Sequence, residues 1–328
     1  MGKLYVLKYD DVSNILEGQE ENIMKIVSRA YVEHSAGKSS LPQSVFLRFP
    51  NNPSDRIIGL PAYLGGSTNA AGIKWISSYP NNINKSLERA SALLILNNTE
   101  NGHAEAVLES SIISAKRTAA SAALAAKLIH YRSDEETIGI IGCGRINKEI
   151  CKFLTYSFPT IKKIVIYDAV LERADIFKKE NTGYNIEIAN SIGEVMGKSR
   201  LISFATTAST PYLLENKGIS PDTTILNISL RDIGSDIILA ADNIVDDIEH
   251  VCRENTSVHI AEKRVKNREF IRGSIAEIIA CKIPPRMDGK ISVYSPFGLG
   301  VLDLALGCYV KEKGIEMGLG TMINDFLP

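Results

Sequence analysis

A glycine-containing turn at residues 142–147 is the clearest chemical signal in the sequence. The β-branched, apolar run TIGIIG (137–142) leads into it, and a helix-like stretch follows. Gly142 permits a tight turn, and Gly144 removes a side chain where backbone N–H groups would approach a pyrophosphate. The pattern of strand, glycine turn and helix therefore predicts a dinucleotide-binding site.

The residues after the glycines complete this pattern with one departure. Arg145 and Ile146 open the helix, whose N-terminal N–H groups favour an anion. Asn147 stands where Gly or Ala usually allows close helix–strand packing, so we expect a looser turn. Asp168 ends the next strand, 24 residues after Gly144, and can bind both ribose hydroxyls. Because its charge repels a 2′-phosphate, NAD is predicted over NADP; the alternative is a structural turn with Asp168 as a helix cap.

Polar residues follow two further strand-like runs of the same region. Thr206 and Thr207 come after RLISFA, whereas Asn227 and Ser229 lie at the end of TTILNIS. Because the carboxyl ends of parallel strands line a cofactor crevice, these four residues are predicted neighbours of the nicotinamide or ribose. Asp232 follows them and can relay protons to a reacting amine. The alternative is a turn aspartate that caps the next helix.

The elements that must position these residues divide the chain in two. In residues 118–296, apolar runs alternate with helix-like stretches, which predicts a Rossmann-type doubly wound parallel sheet. Residues 1–117 combine an amphipathic helix (19–36) with successive strand-like runs, which favours an antiparallel or mixed sheet. We assign residues 297–328, which begin with a helical pattern, to this first, α+β domain. The runs in question are 44–49, 56–64, 70–77 and 91–98.

Composition narrows the class of protein. With 37 Lys plus Arg against 38 Asp plus Glu in 328 residues, bulk charge does not suggest a nucleic-acid binder. No apolar run has the length of a membrane span, and the N-terminus lacks the apolar core of a signal peptide. The five cysteines are scattered, so we expect reduced thiols in a cytoplasmic protein. Neither they nor the five histidines show metal-ligand spacing, and no metal site is predicted.

Several segments resemble the ornithine cyclodeaminase/μ-crystallin family. They are AAGIKWISSYPNN (70–82), ISAKRTAA (113–120) and Val245-Asp246-Asp247, and the likeness runs from about residue 40 to the C-terminus. Within the family, DRIIGLPAYLGG, LERASALLILNN and NISLRD are most similar to siderophore-type 2,3-diaminopropionate biosynthesis dehydrogenases. Ornithine cyclodeaminases tend to have an uncharged stretch at 88–91 and a Gly/Asp-rich one at 229–232, which counts against ornithine cyclisation.

The resemblance implies a specific reaction and assembly. The reaction is NAD-dependent oxidative cleavage of N-(2-amino-2-carboxyethyl)-L-glutamate to L-2,3-diaminopropionate and 2-oxoglutarate, for a siderophore or a peptide antibiotic. The first domain would bind the substrate and build a homodimer through its sheet. It would present Lys74 and Arg117 to a nicotinamide held by the second domain.

The same resemblance assigns roles to cationic residues. Lys74 would bind a substrate carboxylate and help to activate water, although a lysine on a half-buried strand often points to solvent. Arg117 lies in a small-residue helix, where a guanidinium is costly unless a carboxylate pairs with it. A surface position or an internal salt bridge is the alternative for Arg117. Asp303 matches a family Gly-x-Ala-x-x-Asp element and is expected to be structural or to support the substrate-binding residues.

Further substrate contacts are expected near the strand-like runs. One of Arg48 and Arg56 would hold a second carboxylate, because the family uses an arginine in this region. Either Glu88 or Arg89 would bind the extra amino-acid arm, with a surface ion pair as the alternative.

Two other functions compete with this reading. One is another enzyme of the family, such as an alanine- or opine-type dehydrogenase or a cyclodeaminase. The other is a nicotinamide-dependent small-molecule binder of μ-crystallin type. The joint presence of Lys74, Arg117 and Asp232 favours catalysis, because a binder of apolar ligands does not need cations and a proton-transferring carboxylate.

Overall fold

The computed structural model describes residues 2–85, 87–216 and 218–327. Met1, Ser86, Lys217 and Pro328, which the predicted domains include, lie outside the described residues. The chain forms two compact units: one extends to Arg117 and resumes at Leu299, and the other is Thr118–Gly298.

The first unit contains an eight-stranded mixed sheet. Its strands follow the order β16-β1-β7-β6-β5-β4-β2, with β3 paired to β4. Among the described residues of this unit, only the β1–β7 pairing is parallel. The strands predicted from the sequence, β3 to β6, are present, whereas β1, β2, β7 and β16 were not predicted. The strands are β1 (Gly2–Leu7), β2 (Ser39–Ser40), β3 (Val45–Phe49), β4 (Asn52–Leu64), β5 (Ala70–Ser78), β6 (Ala90–Asn97), β7 (Ala104–Glu109) and β16 (Thr321–Leu327).

Helices cover one face of this sheet. The predicted amphipathic helix is α2, and its apolar stripe, including Ile23, Val27 and Tyr31, is buried. α11 packs on β4, β5 and β6, and at Gly307 a Cβ atom would collide with the Leu94 side chain. The helices of this unit are α1 (Tyr9–Leu16), α2 (Glu20–Ser35), the first residues of α3 (Ser111–Ile129), a 3₁₀ helix (Pro80–Lys85) and α11 (Gly300–Glu316).

The two faces of the sheet differ in chemistry. Side chains alternate between faces, so Ala70, Lys74 and Ser78 share one side of β5, and all three are buried. We call this side the inner face. Trp75 lies on the opposite side, the outer face, where large apolar side chains remain exposed. They include Val45, Leu47, Trp75 and Leu93.

The second unit contains an eight-stranded sheet in the order β10-β9-β8-β11-β12-β15-β13-β14. Every pairing in it is parallel, and buried apolar strands with intervening helices confirm the predicted doubly wound α/β fold. The strands are β8 (Thr137–Ile141), β9 (Lys163–Tyr167), β10 (Asn185–Ile188), β11 (Leu201–Phe204), β12 (Thr224–Asn227), β13 (Asp242–Val245), β14 (Ile271–Ser274) and β15 (Ser292–Ser295).

Seven helices and the remainder of α3 accompany this sheet in the described part of the unit. They are α4 (Arg145–Ser157), α5 (Leu171–Glu180), α6 (Ile192–Lys198), α7 (Ser235–Ala240), α8 (Ile248–Val251), α9 (Ser257–Val265) and α10 (Ile275–Ile279). Throughout residues 2–85, 87–216 and 218–327, no helix combines the length and apolar character needed to cross a membrane.

Candidate active site

A buried ion cluster lies on the inner face of the first unit. Lys74, on β5, is only 2% exposed, so it does not point to solvent. Its Nζ donates to Oδ2 of Asp303 at 2.7 Å and to Oγ of Ser114 at 3.2 Å. Asp303 reaches this position because it lies in the first turn of α11, the helix that packs on β5.

Arg117 completes the cluster from α3. Its Nε donates to Oδ1 of Asp303 at 3.2 Å, and its Nη2 lies 3.4 Å from Oγ of Ser114. The internal salt bridge considered from the sequence is therefore present. Two cations share one carboxylate, so the cluster keeps a net positive charge. A buried excess charge is unfavourable unless an anion compensates it, and a substrate carboxylate would do so.

Burial and the neighbouring charges set the protonation of the cluster. The pKa of Lys74 is lowered to about 8. Burial is the largest cause, Asp303 offsets part of its effect, and Arg117 adds to the lowering. Burial alone would raise the pKa of the Asp303 carboxyl, but Arg117 and Lys74 hold it below its usual value. Near neutral pH the lysine is therefore mainly an ammonium and the aspartate a carboxylate.

The other predicted substrate residues lie toward one end of the same sheet. Arg48 and Arg56 are directly opposite each other on β3 and β4. Arg48 is exposed, with its guanidinium carbon 5.3 Å from the Phe46 ring centroid, whereas Arg56 is half-buried. Glu88 is exposed and Arg89 half-buried, immediately before β6. The structure thus brings Lys74 and Arg117 into one cluster and places the other four residues outside it.

The glycine turn of the second unit has the geometry that the sequence predicts. Gly142 has φ +91°, and a Cβ atom there would lie 2.5 Å from the carbonyl oxygen of Ala205. Gly144 is the N-cap of α4, and open space lies where its Cβ would be. Among the described residues no side chain caps this helix end, which Arg145 and Ile146 begin. The helix end without a side-chain cap and the open space at Gly144 fit a pyrophosphate.

Asn147 corrects one expectation. Its Nδ2 donates to the carbonyl oxygens of Ile141 and Gly142, at 2.9 and 2.7 Å, and its Oδ1 accepts from Ser203 Oγ at 2.7 Å. The expectation of a looser turn was wrong, because these hydrogen bonds fasten the turn to its own strand and to β11.

Asp168 lies at the end of β9 and binds the same turn. Its Oδ2 accepts from the backbone N–H of Cys143 at 2.8 Å, and its Oδ1 accepts from that of Val170 at 2.9 Å. A carboxylate offers about four acceptor positions, so two such bonds leave capacity for ribose hydroxyls. The N-cap of α5 is Val170, not Asp168.

Asp232 is a fully buried carboxylate surrounded by hydroxyl groups. Thr206 and Ser229 donate hydrogen bonds to it, and the Tyr212 hydroxyl also contacts it. It does not cap α7, whose N-cap is Gly234. The carboxylate is therefore held by hydroxyl donors and not by a helix end.

The backbone beside Asp232 is strained. Leu230 has φ +72°, a conformation that is unfavourable for a leucine, and its carbonyl oxygen accepts from the backbone N–H of Ser257 at 2.7 Å. Such conformations persist where the surroundings impose them and concentrate at functional sites.

The remaining predicted cofactor residues are near one another in the second unit. Asn227 ends β12, where its Nδ2 donates to Ser295 Oγ at 3.0 Å. Thr207 is exposed next to Thr206. Tyr212 had no sequence signal, because its contact with Asp232 depends on how two loops pack. In the part of the chain that the structure describes, no group of three His, Cys, Asp or Glu residues is placed to hold a metal ion.

Comparisons with known proteins agree on one protein family. The model of the ornithine cyclodeaminase/mu-crystallin family matches residues 5–317. N-((2S)-2-amino-2-carboxyethyl)-L-glutamate dehydrogenase of Staphylococcus aureus is 26% identical over 333 residues, which cover 98% of each chain.

Two solved structures are similar over nearly the whole chain. Delta(1)-pyrroline-2-carboxylate reductase of Thermococcus litoralis, in complex with NADH and L-proline, is 26% identical with a TM-score of 0.90. The similarity covers 97% of this chain and 99% of that one. An archaeal alanine dehydrogenase dimer with bound NAD is 25% identical with a TM-score of 0.88, covering 99% of this chain and 100% of that one.

Proposed function

Because this chain belongs to the ornithine cyclodeaminase/mu-crystallin family, we propose that it is an NAD-dependent dehydrogenase acting on the C–N bond of an amino acid. Similar proteins are named as dehydrogenases or as a reductase, which supports oxidation or reduction as the class of reaction. The cofactor is supported by the glycine turn, the uncapped start of α4 and the position of Asp168.

For the substrate, we propose N-(2-amino-2-carboxyethyl)-L-glutamate, cleaved to L-2,3-diaminopropionate and 2-oxoglutarate in the biosynthesis of a siderophore or a peptide antibiotic. The observation that carries this proposal is the buried cluster of Lys74, Arg117 and Asp303, whose net positive charge suits a carboxylate. The similarity to the Staphylococcus aureus dehydrogenase and the further arginines on the inner face support a substrate with several carboxylates.

We assign each step of this proposed reaction to residues of the chain. Lys74 and Arg117 bind the carboxylate next to the reacting carbon and fix its orientation. NAD, when bound, supplies the hydride acceptor for the glutamyl α-carbon. Asp232 accepts the proton of the secondary amine as the imine forms. Lys74 orients the water that adds to the imine, and collapse of the carbinolamine releases the ketone and the primary amine.

Comparing substrates tests this assignment. Purified protein with NAD would be assayed for kcat/KM with N-(2-amino-2-carboxyethyl)-L-glutamate, L-alanine, L-proline and L-ornithine. The proposal predicts the highest value for the first compound by at least roughly a hundredfold, since each missing charged contact costs about tenfold. A higher value for L-alanine or L-proline would instead indicate the activity named for the archaeal relatives.

Asp168 provides a prediction about the cofactor. Replacing it by serine removes the charge that repels a 2′-phosphate and weakens the hydrogen bonds to the ribose. The ratio of kcat/KM for NAD to that for NADP should fall by roughly ten- to a hundredfold. Asp175→Ser, an exposed change on α5, is the matched control. An unchanged ratio in Asp168→Ser would show that this carboxylate does not select the cofactor.

The outer face of the first sheet supports a homodimer. Val45, Leu47, Trp75 and Leu93 are between 42% and 63% exposed there, and an apolar patch of this kind commonly marks an interface. The occupant we propose is a second copy of this chain, since the similar archaeal alanine dehydrogenase is a dimer.

All five cysteines are free, which supports a reducing compartment such as the cytoplasm.

Disrupting this face should dissociate the dimer. Trp75→Arg places a charge in the apolar patch, so light scattering should report a monomer at micromolar concentration. Ile176→Arg, an equally exposed change on α5, should leave the dimer intact. A Trp75→Arg protein that stays dimeric would place the interface elsewhere.

A further inference from the structure

Two buried polar atoms on the inner face have no hydrogen-bond partner within the described residues. They are Nε of Arg56 on β4 and Oγ of Ser78 on β5. Arg56 and Ser78 are directly opposite in the antiparallel register, so their side chains leave the sheet side by side. Ser78 is only 9% exposed. Unsatisfied buried donors are uncommon, and two adjacent ones point to a ligand that accepts hydrogen bonds from both.

The neighbouring positions in the strand register define the surroundings of this pair. The register continues across the sheet from Arg48 through Arg56 and Ser78 to Ala90. The side chains at Ser78 and Ala90, opposite Arg56 on β5 and β6, are small. Arg48 lies opposite Arg56 on the other side, so the two guanidinium groups come from directly paired positions.

The pair is also placed at a useful distance from the ion cluster. Ser78 lies four residues beyond Lys74 on β5, on the same face, which separates their Cα atoms by about 13 Å. The cluster has the net charge to bind one carboxylate, so a second carboxylate on the same substrate needs a different cation.

We infer that Arg56 and Ser78 form a second carboxylate subsite, which binds the distal carboxylate of a dicarboxylic amino-acid or 2-oxo-acid arm. This inference rests on the proposed function and selects Arg56, not Arg48, as the arginine that holds a second carboxylate. Arg48 instead lies over the Phe46 ring and is exposed. The subsite would distinguish a glutamate-derived arm from alanine or proline, which have no second carboxylate.

Equilibrium binding tests the subsite without requiring turnover. Calorimetry would compare 2-oxoglutarate with 2-oxopentanoate, in which a methyl group replaces the distal carboxylate. The full-length protein should bind 2-oxoglutarate at least roughly tenfold more tightly. Arg56→Gln should abolish this preference, and Ser78→Ala should reduce it severalfold. Lys85→Gln, an exposed charge loss in the 3₁₀ helix, should retain it.

Several results of these binding measurements would contradict the proposed subsite. Equal binding of the two acids to the unmodified protein would overturn the inference, as would an Arg56→Gln protein with its preference intact. Loss of the preference in Arg48→Gln alone would assign the subsite to Arg48. Thermal unfolding identifies a misfolded variant, and Arg56→Lys, which keeps the charge, should recover part of the preference. A preference for 2-oxoglutarate without any NADH formation from the proposed substrate would refute the proposed function while retaining the subsite.

Discussion

Replacing Lys74 by methionine is expected to lower kcat/KM by roughly two to four orders of magnitude, with NAD binding unchanged. Methionine has a similar length but no charge, so the cluster loses its net positive charge and one of its two carboxylate-binding cations. Asp303 then pairs with Arg117 alone, and the excess charge that attracts the substrate disappears. Steady-state kinetics and fluorescence titration with NADH measure the two effects separately.

The pH profile identifies the form of Lys74 that acts. Its pKa is lowered to about 8, so the amine is charged below this pH and neutral above it. If the ammonium binds the substrate, kcat/KM should fall as the pH rises through about 8. Lys74→Arg stays charged and should remove that fall at whatever activity it retains. Lys127→Met, an exposed change on α3, is the control. Near-normal kinetics in Lys74→Met would remove Lys74 from the site.

Replacing Asp232 by asparagine should reduce kcat by roughly two or more orders of magnitude and leave the dissociation constant for NAD unchanged. The amide has the same shape as the carboxylate but cannot accept the amine proton. Asparagine keeps one acceptor oxygen for one of the Thr206 and Ser229 hydroxyls, and its NH2 group can donate to the other, so the loop around it should keep its structure. Single-turnover kinetics would assign the loss to the chemical step.

Asp236→Asn serves as the matched control for Asp232→Asn. Asp236 lies four residues further along the chain, on α7, and its side chain is exposed in a surface ion pair with Arg264. A surface pair contributes little, so this variant should behave like the unmodified protein. Turnover near the normal value in Asp232→Asn would show that the proton leaves by another route.

The periodicity of the sequence predicted the helices and strands whose apolar side chains are buried at regular spacing. The second unit could be read from its alternating apolar runs because parallel strands are buried on both faces. β16 could not, because its residues are almost all exposed and show no alternation. β7 reads AEAVLE, in which alanine and glutamate favour helix, and its strand conformation results from pairing with β6 and β1.

The candidate site was predictable where a local pattern encodes it. The turn at Gly142 and Gly144 and the acid at Asp168 follow from spacing within one strand–helix–strand unit. The pairing of Lys74 with Asp303 joins residues 229 positions apart, so no local pattern reveals it. The choice between Arg48 and Arg56 likewise needed the strand register and the burial of each side chain. The roles of these residues in substrate binding and catalysis stay predictions.

One experiment tests the central claim most directly. N-(2-amino-2-carboxyethyl)-L-glutamate would be incubated with the protein and NAD, and NADH, 2-oxoglutarate and L-2,3-diaminopropionate would be quantified together. We expect equal amounts of all three products. When the reaction runs in ¹⁸O-water, the label should appear in the keto group of 2-oxoglutarate. Absence of NADH, or NADH without release of 2-oxoglutarate, would contradict it.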